Sequence, residues 1–440
     1  MSAEEIAKRL VSKAVELERG AEVIGRVRSG RRQNTRFAAN DLTTSGASDD
    51  DELSLTVAIA SRHATVRTNQ SDDASLVALA KRAVEMAKLA PVDPEWMPVL
   101  GAHTPLPSAN AFDARTRDQH ARERADAARS AIELGKKAGV TVAGYYESGG
   151  HTRSIATSAG FVASFDQSDA SLTVTARAPD GTGSGWAGAA DVSASAIDGT
   201  ALASIAIDKA TRSRAPRALD PGRYDVVLEP AAVAELLGFL IDALDARPAD
   251  EGRSFFSRKG KSAIGEKLFS PGVTFRSDPN DPLTPSAPFD DEGNALSPRT
   301  WIDRGALAEL RCGRFWAHKN GRAATGEHTA YRLTGGTASG VEELVRTMKR
   351  GLVVTRFWYC RWLDPKELMV TGLTRDGVFL VEDGKITAPV NNFRFNESPA
   401  RVLANVIGMT TREVRTPGGV MRVPAVATSA FNMASVSAAV

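Results

Sequence analysis

Apolar residues return every three or four positions in residues 3–19, at Ile6, Leu10, Ala14 and Leu17, and this spacing predicts an amphipathic helix. Ser2 followed by Glu5 has the spacing of a capping box at its start. The period then changes to two: AEVIGRVRS, TRFAAND, ELSLTVAIA and ATVRTN read as antiparallel strands. A second helix is predicted over Asp73–Leu89, with Leu76, Leu79, Ala80, Ala83 and Val84 on one face and Pro91 as its stop. The same order returns downstream. A helix is predicted over 116–138, strands in VTVAGYYES, TRSIATSAG and ASLTVTARA, and a helix over 201–212.

The recurrence is also visible residue by residue. Ser54-Leu55-Thr56-Val57 and Ser171-Leu172-Thr173-Val174 are one tetrapeptide repeated 117 positions on, and Arg36 and Arg153 share that offset. Ser29-Gly30 and Ser148-Gly149 lie 119 apart, as a two-residue indel would give. We read a duplicated α/β unit, residues 1–90 and 113–215, joined by a Pro-rich linker at 91–112; a repeat of this size is a packing unit. Pro216 and Pro221 mark the next boundary.

From residue 222 to 440 the chain reads as β-rich. The strand RYDVVLEP leads into a helix at 231–245, followed by GVTFRSD, TWIDRG, LVVTRFWYCRWL, GVFLVEDGKI and APVNNFRF, with a helix at 341–350 between them. Turns at Asp376-Gly377 and Asp383-Gly384 favour an antiparallel, barrel-like sheet. The tail 429–440 reads as an edge strand or as disorder. The expected class is α+β: duplicated N-terminal α/β units followed by a β-rich, antiparallel, barrel-like C-terminal domain.

Composition narrows the function. The 440 residues include 55 basic and 53 acidic ones, a net charge of +2, which gives no reason to expect a polyanionic partner. The basic run RSGRRQNTR around Arg31 and Arg32 reads as a solvated turn. Cys312 and Cys360, 48 apart and without CxxC spacing, read as two reduced thiols. The N-terminus lacks an apolar h-region and no run of 18 apolar residues occurs, so a cytoplasmic chain that does not span a membrane is expected.

Candidate chemistry is sparse. In the helix at 231–245, Val233, Leu236, Leu237, Leu240, Ile241 and Leu244 form a stripe wide enough to bury. A zinc-protease helix needs two imidazoles one turn apart and a carboxylate. Here Glu235 and Asp242 are the only acids before Asp245, and no histidine lies between His151 and His318. The helix therefore reads as core. His318 and His328, with Cys312 and Glu327, can be drawn as a zinc site, but the spacing fits no physical motif and HKNGRAATGEHT reads as a polar loop. His63, in a turn, and His120, on a charged helix face, read as solvated. Asp290-Asp291-Glu292-Gly293 could take a cation or do acid–base work; an acidic turn before Gly is the plainer reading. GGTASG at 335–340 lacks a following Lys and reads as a loop. The run Phe357-Trp358-Tyr359-Cys360-Arg361-Trp362 reads as a strand buried on one side, with an aromatic left for a cleft or an interface.

Taken together the segments resemble the TldD/PmbA (TldD/TldE) metallopeptidase family over nearly the whole chain. The matching pieces are RFAAND, DASLVALAKRAVEMAKLAP, YDVVLEP with its following helix, SFFSRKGKSAIGEKL, DDEGNALSPRTWIDRGAL, TGLTRDGVFLVEDGKITAPVNNFRFNESPARVL and the VIG element at 406–408. The resemblance implies a metallopeptidase-like domain at 222–440. It also implies a zinc held by two histidines of a His-Glu-x-x-x-His helix and a C-terminal cysteine in one type of subunit, and a second type without them. This chain has PAAVAELLGFLIDALDA at the helix and no cysteine in TPGGVMRVPAVATSAF. Both departures point to the zinc-less, TldE-like type.

On that resemblance no catalytic, cofactor-binding or metal-ligating residue is assigned in this chain, and zinc is expected in a TldD-type partner. The implied function is that of the non-catalytic subunit of a cytoplasmic heterodimer that degrades or processes unfolded peptides, with a homodimer open to the isolated chain. Roles known for the family, maturation of a modified peptide antibiotic and degradation of an antitoxin, are not resolved by these residues. Neither nucleic acid nor membrane is expected as a partner. Two alternatives stand: a stand-alone metallopeptidase with an atypical site such as His318/His328, and a non-enzymatic, homo-oligomeric peptide-binding or scaffold protein.

Overall fold

A computed structural model describes residues 1–419 and 421–438. Helix α1 (Ala3–Leu17) starts at Ser2, whose hydroxyl accepts from the Glu5 amide while the Glu5 carboxylate accepts from the Ser2 amide. Two orphan donors of the first turn are thereby satisfied. Strand β1 (Glu22–Ala38) follows as one 17-residue strand, where two strands and a solvated turn at RSGRRQNTR are expected from the sequence. The polar run is the middle of β1, and Gly30 serves close approach there: a Cβ would sit 2.5 Å from that of His151 on the neighbouring strand. Ala39 and Asn40, both at positive φ, make the two-residue turn into β2 (Asp41–Ile59), and β3 (Arg62–Thr68) and α2 (Asp73–Leu89) complete the first half.

The second half repeats this order. The helix expected over 116–138 is split into α3 (Ala114–Arg117) and α4 (Ala121–Lys137). His120 is exposed, as expected, but stands at the N-cap of α4 rather than on a helix face, its ring accepting from the Arg122 amide at 3.2 Å. Strand β4 (Thr141–Thr157) is again one long strand where two were expected. After β5 (Val162–Arg177) comes β6 (Ser184–Asp191), a Gly/Ala-rich strand with no apolar alternation to announce it. Helix α5 (Gly199–Arg212) closes the half.

Both halves share one antiparallel sheet in the order β3-β2-β1-β4-β5-β6, joined at β1–β4 with Gly30 opposite His151. The repeated tetrapeptide occupies equivalent places. Leu55 and Val57 are buried under α1 and α2, and Leu172 and Val174 under α4 and α5. Each such side chain contributes roughly 1.5–3 kcal/mol on burial. Helices cover one face only, and the other face is left for polar residues.

The C-terminal domain begins with β7 (Gly222–Leu228) and α6 (Pro230–Ala243). A small ladder, β8 (Ser257–Arg258) with β9 (Lys261–Ser262), precedes β10 (Thr274–Ser277), β11 (Arg299–Asp303), β12 (Ala306–Leu307) and β13 (Tyr331–Thr334). Then come β14 (Arg350–Asp364), β15 (Met369–Glu382), β16 (Lys385–Pro389), β17 (Asn392–Glu397), β18 (Val406–Arg415) and β19 (Met421–Ser437). The long sheet runs β12-β11-β10-β13-β19-β17-β15-β14-β7, and β19 also pairs with β7, so five strands close on themselves. The tail is therefore no edge: residues 429–437 sit on β19 between β17 and β7, while Ala439 and Val440 lie outside the described residues. The expected helix at 341–350 is shorter, Val341–Arg346. Helix α6 buries against β14 and β19. Among the described residues no helix is long and apolar enough to cross a membrane.

Candidate functional site

Helix α6, where the resemblance places the family's histidines, is packed as core. Val233, Leu236, Leu237 and Leu240, with Leu244 just beyond, are all buried in one cluster with Leu352 and Val354 of β14 and Val426 of β19. Glu235 and Asp242 point outward. Glu235 lies close enough to Cys360 of β14 for its charge to act on the thiol, and burial raises the pKa of both groups; for the thiol the Glu235 charge adds to that rise. A thiol so disfavoured from ionising is a poor nucleophile and a poor metal ligand. One exposed carboxylate and one protonated thiol, with no imidazole beside them, do not fit a zinc ion.

The drawn set of Cys312, His318, Glu327 and His328 does not assemble either. His318 is exposed at the end of the helix Arg314–Lys319, whereas His328 is buried edge-on against Trp301 with its Nε2 unpartnered. Burial, then the Arg299 charge, lowers the His328 pKa to about 4. Among the described residues no three His, Cys, Asp or Glu are grouped to hold a metal. Asp290 instead accepts from the amides of Glu292, Asn294 and Glu327, tying a turn whose Gly293 is left-handed (φ 86°) and packs on Phe161. His63, expected in a turn, stands on β3, 2.9 Å from Asp93 and stacked on Trp96.

Chemistry of another kind lies on the uncovered face of the first sheet. A cavity of about 1370 Å³ opens between that face and the C-terminal domain. Because side chains alternate faces along a strand, β1 directs Arg26, Arg28 and Arg32 into it and β4 directs Glu147, His151 and Arg153, while Val23 and Val27 pack in the core beneath the helices. Asp291, Arg356 and Arg415 enter from the opposite side. Seven arginines and four carboxylates line the space.

Polar contacts across this cavity tie the two parts of the chain together. Arg153 meets Asp291 at 2.7 Å, and Arg356 pairs with the buried Asp376, which accepts from Ser184 of β6. Trp186 lies under the Arg356 guanidinium at 5.2 Å. His151 is held neutral, its pKa lowered to about 4 by burial first and then by Arg28, Arg153 and Arg32. Arg415 is 8% exposed and its side chain makes no hydrogen bond or ion pair among the described residues. The sequence signal for this face is the Arg26-Val27-Arg28 alternation, readable as a two-faced strand once the turn assignment is dropped.

Family models for the PmbA/TldA metallopeptidases match in series: domain 1 over residues 25–87, the central domain over 111–214 and the C-terminal domain over 221–435. The chain belongs to the PmbA/TldD metallopeptidase family. Among solved structures, TldE from Thermococcus kodakarensis superposes with a TM-score of 0.86 at 16% identity, over 97% of this chain and 99% of that one. A Thermotoga maritima protein described as a candidate modulator of a DNA gyrase superposes at 0.84 and 19% identity, over 98% and 100%. At these identities the likeness is one of fold, and the fold is that of a TldE-like member of the family. A metalloprotease of Methanothermobacter thermautotrophicus is 28% identical over 205 residues, 43% of this chain and 43% of its own length. The chain thus spans less than half of that relative.

Proposed function

We propose that this chain is the zinc-less subunit of a two-chain PmbA/TldD-type metallopeptidase, walling part of a chamber for unfolded peptides while a TldD-type chain carries the zinc. The observation that carries the reading is α6: in the helix of this family's metal chemistry, buried Leu236, Leu237 and Leu240 fill the core and no imidazole is present. The cavity supports a role in enclosing substrate, and a sheet-lined space suits an extended peptide held by its main chain. Trp358, Tyr359 and Leu363 on β14 are 46%, 63% and 54% exposed, a cluster that suits burial against another subunit. In isolation the same face would serve a homodimer. Two unpaired cysteines, Cys312 and Cys360, accord with a reducing cytoplasm.

Elemental analysis of the purified chain, alone and after size-exclusion chromatography with a TldD-type chain, tests this reading. The expected outcome is no zinc alone and about one zinc per co-eluting pair. Stoichiometric zinc on the isolated chain would overturn it, as would failure to co-elute with any TldD-type chain.

A further inference from the structure

We propose that the arginine-rich face of the cavity, centred on Arg28, Arg153 and Arg415, binds carboxylates of an extended peptide. The inference rests on the reading that this cavity encloses peptide, and it adds the substrate class.

The strongest observation is Arg415. It stands at the end of β18, 8% exposed, lining the cavity and with no side-chain hydrogen bond or ion pair among the described residues. Its register partner on β19 is another arginine, Arg422, whose Nε is buried and unsatisfied. Burial lowers the pKa of Arg415, and the charges of Asp169 and Asp191 oppose that only from beyond hydrogen-bond range. A desolvated guanidinium whose counter-charges lie beyond direct pairing distance is under-compensated, and an anion arriving in the cavity relieves that cost.

Arg28 and Arg153 give an independent indication. They are direct register partners on β1 and β4 and both face the cavity, and like charges placed directly opposite each other destabilise a sheet. Asp291 answers Arg153 at 2.7 Å, while Arg28, among the described residues, makes its one polar side-chain contact with His151 Nδ1 at 3.4 Å. His151 brings no negative charge and lies among Arg28, Arg32 and Arg153.

The chemistry of the anion follows from the surroundings. A guanidinium fork matches a carboxylate in bidentate geometry. Arg26 and Arg28 stand two residues apart on one strand, ~6.7 Å, the repeat at which an extended peptide presents side chains on one side. Glu52, Glu147, Asp169 and Asp291 are interspersed with the arginines, so the wall suits discrete carboxylates and repels a continuous phosphate backbone.

The test uses the full chain and three unstructured peptides of equal length, with affinity read by fluorescence anisotropy. One peptide carries Glu at alternate positions and an amidated C-terminus; the second replaces each Glu by Gln; the third is the Gln peptide with a free C-terminal carboxylate. The Glu peptide, the free-carboxylate peptide or both should bind on the order of tenfold more tightly than the amidated Gln peptide. Which of them does so tells side-chain from terminal carboxylates. The preference should shrink with salt and fall by a similar factor in Arg28→Gln and in Arg415→Gln, whose folding is checked by thermal unfolding. If Arg415→Gln does not fold, Arg28→Gln, whose side chain is exposed, carries the test. Equal affinity for all three peptides overturns the proposal, and so does an unchanged preference in the folded variants. Single-stranded nucleic acid that outcompetes the Glu peptide overturns it as well. The measurement needs no zinc-bearing partner, so a failed metal test and a failed peptide test are told apart.

Discussion

Helix α6 and strand β1 invite comparison because the sequence assigns them opposite importance. On α6, where chemistry is sought, pattern and packing agree at every level: the stripe Val233–Leu236–Leu237–Leu240 is the buried face, and the polar residues point out. On β1, a segment that reads as a solvated turn, the structure sets Arg28 opposite Arg153, and across the cavity Arg415 has no direct ion pair among the described residues. Local consistency marks a part that does structural work. Unrelieved charge marks a part kept for something other than stability.

The comparison breaks most sharply at Leu237. Leu237→Asp would place an unpaired carboxylate in the α6 core and should cost about 4 kcal/mol or more, read as a collapse of the urea-unfolding midpoint. A soluble variant with an unchanged midpoint would make α6 an exposed surface and remove the contrast with β1.

The next largest effect belongs to His328, buried and neutral. Its folded pKa, about 4, lies below the ordinary 6.5, so between those values the unfolded chain takes up a proton that the folded chain refuses. Above pH 6.5 the full stability is present; between pH 6.5 and 4 roughly 3 kcal/mol should be lost. His328→Gln should flatten that slope in denaturation measured across pH. An unchanged slope would assign it to other groups, with His151 in the cavity the first to examine.

The smallest effect sharpens the α6 side. Cys360→Ala should change stability by about 1 kcal/mol or less and leave peptide hydrolysis by the reconstituted pair intact. Loss of hydrolysis would show that Glu235 and the thiol take part in chemistry after all.

Much of the fold is legible in the sequence because its helices obey simple periodicities. Helix α2 falls on Asp73–Leu89 as expected, α1 has its capping box, and the tetrapeptide repeat lands on equivalent buried positions of β2 and β5. Strand continuity is less legible. The run RSGRRQNTR imitates a turn because its residues are polar on both faces: Arg28 and Arg32 face the cavity, while Gln33 and Thr35 are buried and polar. Strand β6 is hidden for another reason: its small residues let α5 approach closely and leave no apolar alternation. The charged face of the cavity is the least legible part, since its two walls come from segments far apart in the chain.

The α+β class, the repeated unit, the family and the apolar character of α6 are readable from the chain alone, because each rests on local periodicity or on motifs read in order. That the two units form one sheet, that β19 closes the C-terminal strands and that Arg28, Arg153 and Arg415 share one cavity emerge from the fold. Those outcomes depend on register and on contacts between residues more than a hundred positions apart. Whether an arginine is solvated, paired or left buried without a direct ion pair is a property of what the fold brings beside it, and no local pattern encodes that.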